Sequence, residues 1–154
     1  MLREQEYVGL LIGAARRSIK QAVLRAARPL RLTPPQFWFL NAVHELPGAS
    51  LGDVARRQLM DAPTASRIAE GLEQRGLLRV EPDPRDRRVV RLLLTTSGVR
   101  LAQRIAPIAL GVRDAAVRGM TAREQEALRA ALHKVVRNLD QFAAEQPAAA
   151  GGDT

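Results

Sequence analysis

Residues 50–95 hold two short helical segments in quick succession and then an arginine-rich hairpin, an order that few folds accept. The first segment, Ser50-Leu-Gly-Asp-Val-Ala-Arg-Arg-Gln-Leu59, opens on a hydroxyl that can cap a helix and sets Leu51, Val54 and Ala55 on one face. The second, Asp61 to Gly76, brings its own aspartate cap, and Ala65, Ile68, Ala69 and Leu72 recur at helical spacing. Gly76 stands where the chain leaving a helix takes a left-handed backbone. Leu77-Leu-Arg-Val-Glu81, the turn Pro82-Asp-Pro-Arg-Asp-Arg87 and Arg88-Val-Val-Arg-Leu-Leu-Leu94 then read as strand, basic tip and strand. A helix sized for a major groove, followed by a basic hairpin, implies a double-stranded DNA reader.

Composition supports a polyanionic partner and removes several other classes. The chain has 154 residues, a net charge of +8 and a pI near 11.4. The basic excess is spread along the chain, so the placement of the arginines, and not their number, points to the partner. A hydrophobic fraction of 46% excludes a wholly disordered chain, and 3% aromatic residues disfavour the stacking platforms of single-strand binders. Without cysteine there is no disulfide framework, thiolate metal site or thiol-based redox sensing in the chain. Val8–Ala15 is too short and poorly flanked for a secretory signal, and no run reaches membrane-spanning length. A soluble, cytoplasmic protein is expected.

Catalysis finds little to stand on. His44 and His133 are far apart, no phosphate-cradling glycine loop occurs, and Glu124 and Glu126 diverge on one helix. Two histidines with no thiolate are too few for a closed zinc site. No catalytic residue, metal or cofactor is therefore expected.

Long helices flank the reader. Residues 4–28 place Val8, Leu11, Ala15, Ile19, Ala22 and Ala26 at steps of three and four, ending at Pro29. Thr33-Pro-Pro-Gln36 forms a capping box that starts a helix running to Pro47-Gly48. After the hairpin, Leu101, Ile105, Ile108 and Val112 form a stripe interrupted by Pro107, which is expected to kink the helix. Thr121-Ala-Arg-Glu124 is a further capping box, followed by Leu128, Leu132, Val135, Leu139 and Phe142. Such stripes serve an ordinary bundle or a dimer; a single small reader offers few base contacts, which favours the dimer. The expected fold is mainly α: a winged helix-turn-helix domain at 32–95 with a small β-hairpin wing. Long N- and C-terminal dimerisation helices at 1–31 and 96–143 flank it, with a disordered tail at 144–154.

These elements together resemble the MarR family of winged helix-turn-helix regulators over roughly residues 10–140. The resemblance is carried by Leu32-Thr-Pro-Pro-Gln36, by Thr64-Ala-Ser-Arg-Ile-Ala-Glu-Gly-Leu-Glu-Gln-Arg-Gly-Leu-Leu78, by Asp83-Pro-Arg-Asp-Arg-Arg88 and by Leu94-Thr95. It implies a homodimeric regulator, usually a repressor, on a palindromic operator, released by a small effector, often a phenolic or other aromatic acid. By position, it puts Pro63, Thr64, Ser66 and Arg67 on the first turns of the recognition helix, with Arg67 suited to a bidentate guanine contact. Thr64 and Ser66 have a second reading, as helix caps. At the wing tip, Arg88 corresponds to a minor-groove arginine and Asp86 to the carboxylate that orients it, while Arg85 and Arg87 reach phosphates. The closeness of Arg85, Arg87, Arg88 and Arg91, without a counter-charge large enough to neutralise them, argues against a plain solvated turn.

The resemblance places the effector between the helical ends and the reader, which points to Arg16, Arg17, Trp38 and His44. An arginine beside an indole suits an aromatic carboxylate. Each of the four has a simpler role, Trp38 as core, His44 as a cap, the arginines as solvated charges. A winged helix used only for protein contact is the alternative to a specific DNA role, and Arg67, Arg75 and the basic wing tip weigh against it.

Overall fold

The computed structural model describes residues 7–146. In chain order it contains α1 (Val8–Ala26), a short 3-10 turn (Arg28–Leu30), α2 (Pro34–Glu45), α3 (Leu51–Arg57), α4 (Ala62–Gln74), β1 (Leu78–Pro82), β2 (Val90–Leu94), α5 (Thr96–Ala116) and α6 (Ala122–Glu145). This is a mainly helical chain carrying one antiparallel hairpin, in which Leu78 pairs with Leu94 and Pro82 with Val90. No helix among the described residues is long and apolar enough to cross a membrane.

The helix starts follow from their caps. Thr33 Oγ1 accepts the Gln36 N–H while Gln36 Oε1 accepts the Thr33 N–H. Ser50 with Asp53 and Thr121 with Glu124 repeat the reciprocal arrangement. At α4 the cap is Asp61, whose Oδ1 accepts the Thr64 N–H at 2.7 Å. Each such bond satisfies a donor that the first helical turn would otherwise leave without a partner, a contribution of about 1 kcal/mol. Gly76, with φ of 68°, ends α4 in the left-handed conformation.

The chain divides into two compact units, one up to Ala116 and one from Val117. In the first, α2 lies at the centre, contributing Phe37, Phe39, Leu40 and Val43 to a core completed by Val23, Val54, Leu72, Leu78, Leu92 and Ile105. Full burial of side chains of this size stabilises by roughly 1.5–3 kcal/mol each. Helix α5 crosses both α1 and α2 and runs unbroken through Pro107, with Leu101, Ile105, Ile108 and Val112 turned to the core as their spacing predicts.

The stripe expected on α1 behaves differently. Val8, Leu11, Ala15, Ile19, Ala22 and Ala26 are all exposed, and the helix enters the core through Val23 instead. In the second unit α6 continues through Glu145, slightly beyond the expected end at 143, and leaves Leu128, Leu132, Val136, Leu139 and Phe142 exposed. Residues 4–6 of the expected first helix and 147–154 of the expected tail lie outside the described residues.

Candidate nucleic-acid interface

Helix α4 is seated by Ala65, Ala69 and Leu72, three side chains at steps of four and three, all buried. That anchorage turns Pro63 and Arg67 outward, with Thr64 and Ser66 half-buried at the margin. Because Asp61 supplies the cap, the Thr64 hydroxyl is left to face Arg67, 3.4 Å from its Nη2. At that length the contact is weak, and the Arg67 guanidinium keeps its donors available. The cap carboxylate is held below its ordinary pKa, first by the Thr64 N–H. Thr64, Arg67 and Ile68 line a shallow cleft shared with Thr33, Pro35 and Gln36 at the start of α2.

Arg75, read from the sequence as part of the same basic surface, has another role. Its Nη1 donates to the carbonyl of Arg31 at 2.9 Å and approaches Gln36 Oε1 at 3.4 Å. Arg31 itself has φ of 53°, so the bond fixes a left-handed residue just before α2. Arg75 therefore ties the end of the recognition helix to its scaffold.

In the wing, Asp86 grips Arg88 in a fork. Nε donates to Oδ1 at 3.1 Å, Nη2 to Oδ2 at 3.2 Å, and the Arg88 N–H to Oδ1 at 3.0 Å. These bonds hold the Asp86 carboxyl below its ordinary pKa, yet the Arg88 side chain stays 91% exposed. Orientation without burial suits a side chain that must reach outward. Arg85 and Arg87 are exposed and, among the described residues, form no ion pair.

The reading of an unneutralised arginine cluster needs correction at Arg91. Its Nε donates to Asp83 and its Nη1 to the carbonyl of Gly48, so it belongs to the base of the wing. Asp83 is the counter-charge missing from that reading, and its 5% exposure sets it apart from the other residues of the turn.

At the start of α5, Thr95 Oγ1 donates to the Gly76 carbonyl at 2.6 Å and accepts the Gly98 N–H at 3.0 Å. This junction binds the end of α4 and the first turn of α5 together, fixing where the hairpin leaves the domain.

The residues grouped as an effector pocket have different surroundings among the described residues. Arg16 and Arg17 are exposed on α1. His44 lines a cleft with Val43, Pro47, Arg79, the β2 leucines and Val99. Trp38 stands edge-on to Phe37 at 5.1 Å between centroids, and the arginine over its ring is Arg113 of α5, 5.4 Å from the centroid. Nothing local in the sequence signals a partner 75 positions away. Arg113 also bonds Glu45 at 2.6 Å, and that bond leads the causes that depress the Glu45 pKa. Glu45 further accepts from Asn41 Nδ2 at 2.9 Å and Arg57 at 3.3 Å. The Oδ1 of Asn41, a residue 1% exposed, has no partner among the described residues.

Comparison with known proteins decides the identity. Residues 32–89 match the sequence profile of the MarR family. The chain is 30% identical over 131 residues to the HTH-type transcriptional repressor NicR of Pseudomonas putida, covering 85% of this chain and 83% of NicR. It belongs to the MarR family.

Among solved structures, this MarR-family chain is similar to BpsR of Bordetella bronchiseptica, a protein whose DNA binding is regulated by 6-hydroxynicotinic acid. The TM-score is 0.71 at 30% identity, over 85% of this chain and 94% of that one. A mutant MarR from E. coli complexed with operator DNA matches at a TM-score of 0.68 and 22% identity, over 83% of this chain and 92% of that one, a likeness of fold alone. The MarR-family relatives are DNA-binding transcriptional regulators and not enzymes.

Proposed function

We propose that this chain is a cytoplasmic repressor that binds a palindromic operator as a homodimer and is released by a small aromatic acid. The observation that carries the DNA reading is the pairing of two outward-facing basic features on one unit: Arg67 on a rigidly seated helix, and Arg85, Arg87 and Arg88 on the hairpin beyond it. Pro63, Thr64, Ser66 and Arg67 then meet the major groove, with Arg67 on a guanine. Arg88, held by Asp86, enters the minor groove, and Arg85 and Arg87 contact phosphates.

The homodimer is supported by the apolar side chains that α1 and α6 each leave exposed, an arrangement costly for a monomer. Residues 1–31 and 96–143 form the dimerisation region in this reading, and 32–95 the reader. For the effector, support comes from Trp38 with Arg113, an aromatic face beside a guanidinium, and from the regulation of BpsR by an aromatic acid. Arg16, Arg17 and His44 join that site only if the partner subunit or ligand binding gathers them.

Selection from a random duplex library, followed by anisotropy titration at several salt concentrations, tests the reading. An inverted repeat with half-sites about one helical turn apart is expected, with affinity falling steeply as salt rises. No enriched sequence and no salt-dependent retention would leave a winged helix used for protein contact. Light scattering at micromolar concentration should give the mass of two chains.

A further inference from the structure

Two structural facts about the wing remain outside the contacts assigned to DNA. Asp83 is one of only two buried polar side chains among the described residues, and it sits at the root of a basic loop. Its Oδ1 accepts the N–H groups of Arg85 at 2.7 Å and Asp86 at 3.2 Å, so one oxygen shapes the backbone that carries the tip. Its other oxygen takes Arg91 Nε, and Arg91 reaches on to the carbonyl of Gly48.

Gly48 lies in the loop that leads into α3. It has φ of 76°, a backbone setting few other residues adopt, and it turns its carbonyl toward β2. Two further links follow the same path: Ser50, the cap of α3, bridges to Arg91, and the Leu92 N–H donates to the Ala49 carbonyl at 3.1 Å. A continuous chain of bonds thus runs from the wing-tip backbone through Asp83 and Arg91 to the residue before the helix-turn-helix.

We propose that Asp83 and Arg91 are positioning residues that set the wing tip, and with it Arg88, at a fixed offset from the recognition helix. The proposal rests on the wing as a groove-reading element. Neither residue touches DNA in this assignment. Asp83 is enclosed, and both Nε and Nη1 of Arg91 are engaged within the protein. Their effect is orientational: with the link cut, the hairpin still forms, because its strand pairing is intact, but Arg88 samples a wider range of positions and groove width is read less sharply.

The test compares wild type with Asp83→Asn, Arg91→Gln, Arg88→Ala and the two doubles carrying Arg88→Ala, on duplexes selected by the wild-type protein and varied one base pair at a time. Asp83→Asn keeps an acceptor for the tip N–H groups and removes the charge that holds Arg91. Each single variant should weaken binding by roughly fivefold or more and flatten the preference at the base pairs beneath the wing. Preference at the base pairs beneath α4 should stay as in wild type. Once Arg88→Ala is present, Asp83→Asn and Arg91→Gln should add almost nothing.

Full additivity with Arg88→Ala, or wild-type preference beneath the wing in both single variants, overturns the proposal. If Arg88→Ala itself binds and discriminates as wild type does, the groove-reading wing falls and this proposal falls with it, an outcome distinct from the first two. Arg91 is half-exposed, so Arg91→Gln carries the comparison should Asp83→Asn fail to give a cooperative melt.

Discussion

Arg113 lies over the ring of Trp38 while its guanidinium also holds Glu45, so one side chain of α5 joins an aromatic face and a carboxylate of α2. Cation–π contact at a partly exposed site contributes about 0.5–1 kcal/mol, and a surface ion pair about as much or less. Arg113→Ala should therefore lower stability by about 1 kcal/mol, a fall of about 3 °C in Tm. If an aromatic acid is read here, the thermal shift it gives wild type should shrink markedly in the variant. An unchanged shift would move the effector elsewhere.

Arg67→Ala should relax preference at one symmetric base pair in each half-site, since a bidentate guanine contact discriminates by roughly 1–3 kcal/mol. Nonspecific affinity should fall much less. Titration across single-base variants at two salt concentrations measures both. A base profile parallel to wild type, with a salt slope reduced by about one, would make Arg67 a phosphate contact.

Gly98→Ala should be poorly tolerated. A Cβ at that position would lie 2.0 Å from the Leu77 carbonyl oxygen, a backbone atom that cannot step aside. Overpacking of this kind costs roughly 1–3 kcal/mol, and the urea midpoint should report it. A midpoint equal to wild type would mean that α5 starts farther from β1 than described.

Leu59→Gly should act in the opposite sense. Leu59 has φ of 51° and is 79% exposed, so it bears the cost of a left-handed residue with little burial in return. That conformation costs about 1–2 kcal/mol, offset in part by the extra freedom glycine gives the unfolded chain. A net gain of up to about 1 kcal/mol in urea unfolding is expected, and a loss would count against the left-handed turn.

Acid should unfold the protein through its capped and paired carboxylates. Glu45, Asp53, Asp61, Asp83, Asp86 and Glu124 all have pKa values depressed in the folded state. A depressed carboxylate contributes stability that is fully present above its ordinary pKa and disappears as pH falls through the folded value. Tm should hold nearly level from pH 7 to 5 and drop below about pH 4. Asp83→Asn should melt lower than wild type at pH 7 and converge with it in acid; a constant difference would remove Asp83 from the set.

The parts legible in the sequence were those whose physics is local. Thr33, Ser50, Asp61 and Thr121 declare helix starts within four residues, and Gly76 declares an end. The pairing of Asp86 with Arg88 comes from the family resemblance, and the fork between them spans only two positions. Arg75 and Arg113 escape a local reading because they bond residues 44 and 68 positions away, and Arg91 because charge alone does not show that Asp83, eight positions off, holds it as a tether. On α1, spacing identified an apolar stripe correctly but could not say which stripe the core would take; Val23 lies one position from Ala22, and the turn between them decides burial.

Pro107 gives α5 uneven stiffness. Lacking an N–H, it leaves the Gln103 carbonyl without its rung in the helical ladder, and both residues face water, which can take up the lost bond. The core grips the helix on both sides of that gap, through Ala102 and Ile105 before it and Ala109 after it, and Arg113 lies farther on, over Trp38. Bending load applied to α5 concentrates at that missing rung. Ala109, Ile108 and Val112 seat the half beyond it as Ala102 and Ile105 seat the half before it, so at the missing rung burial rather than the helical ladder keeps α5 in line.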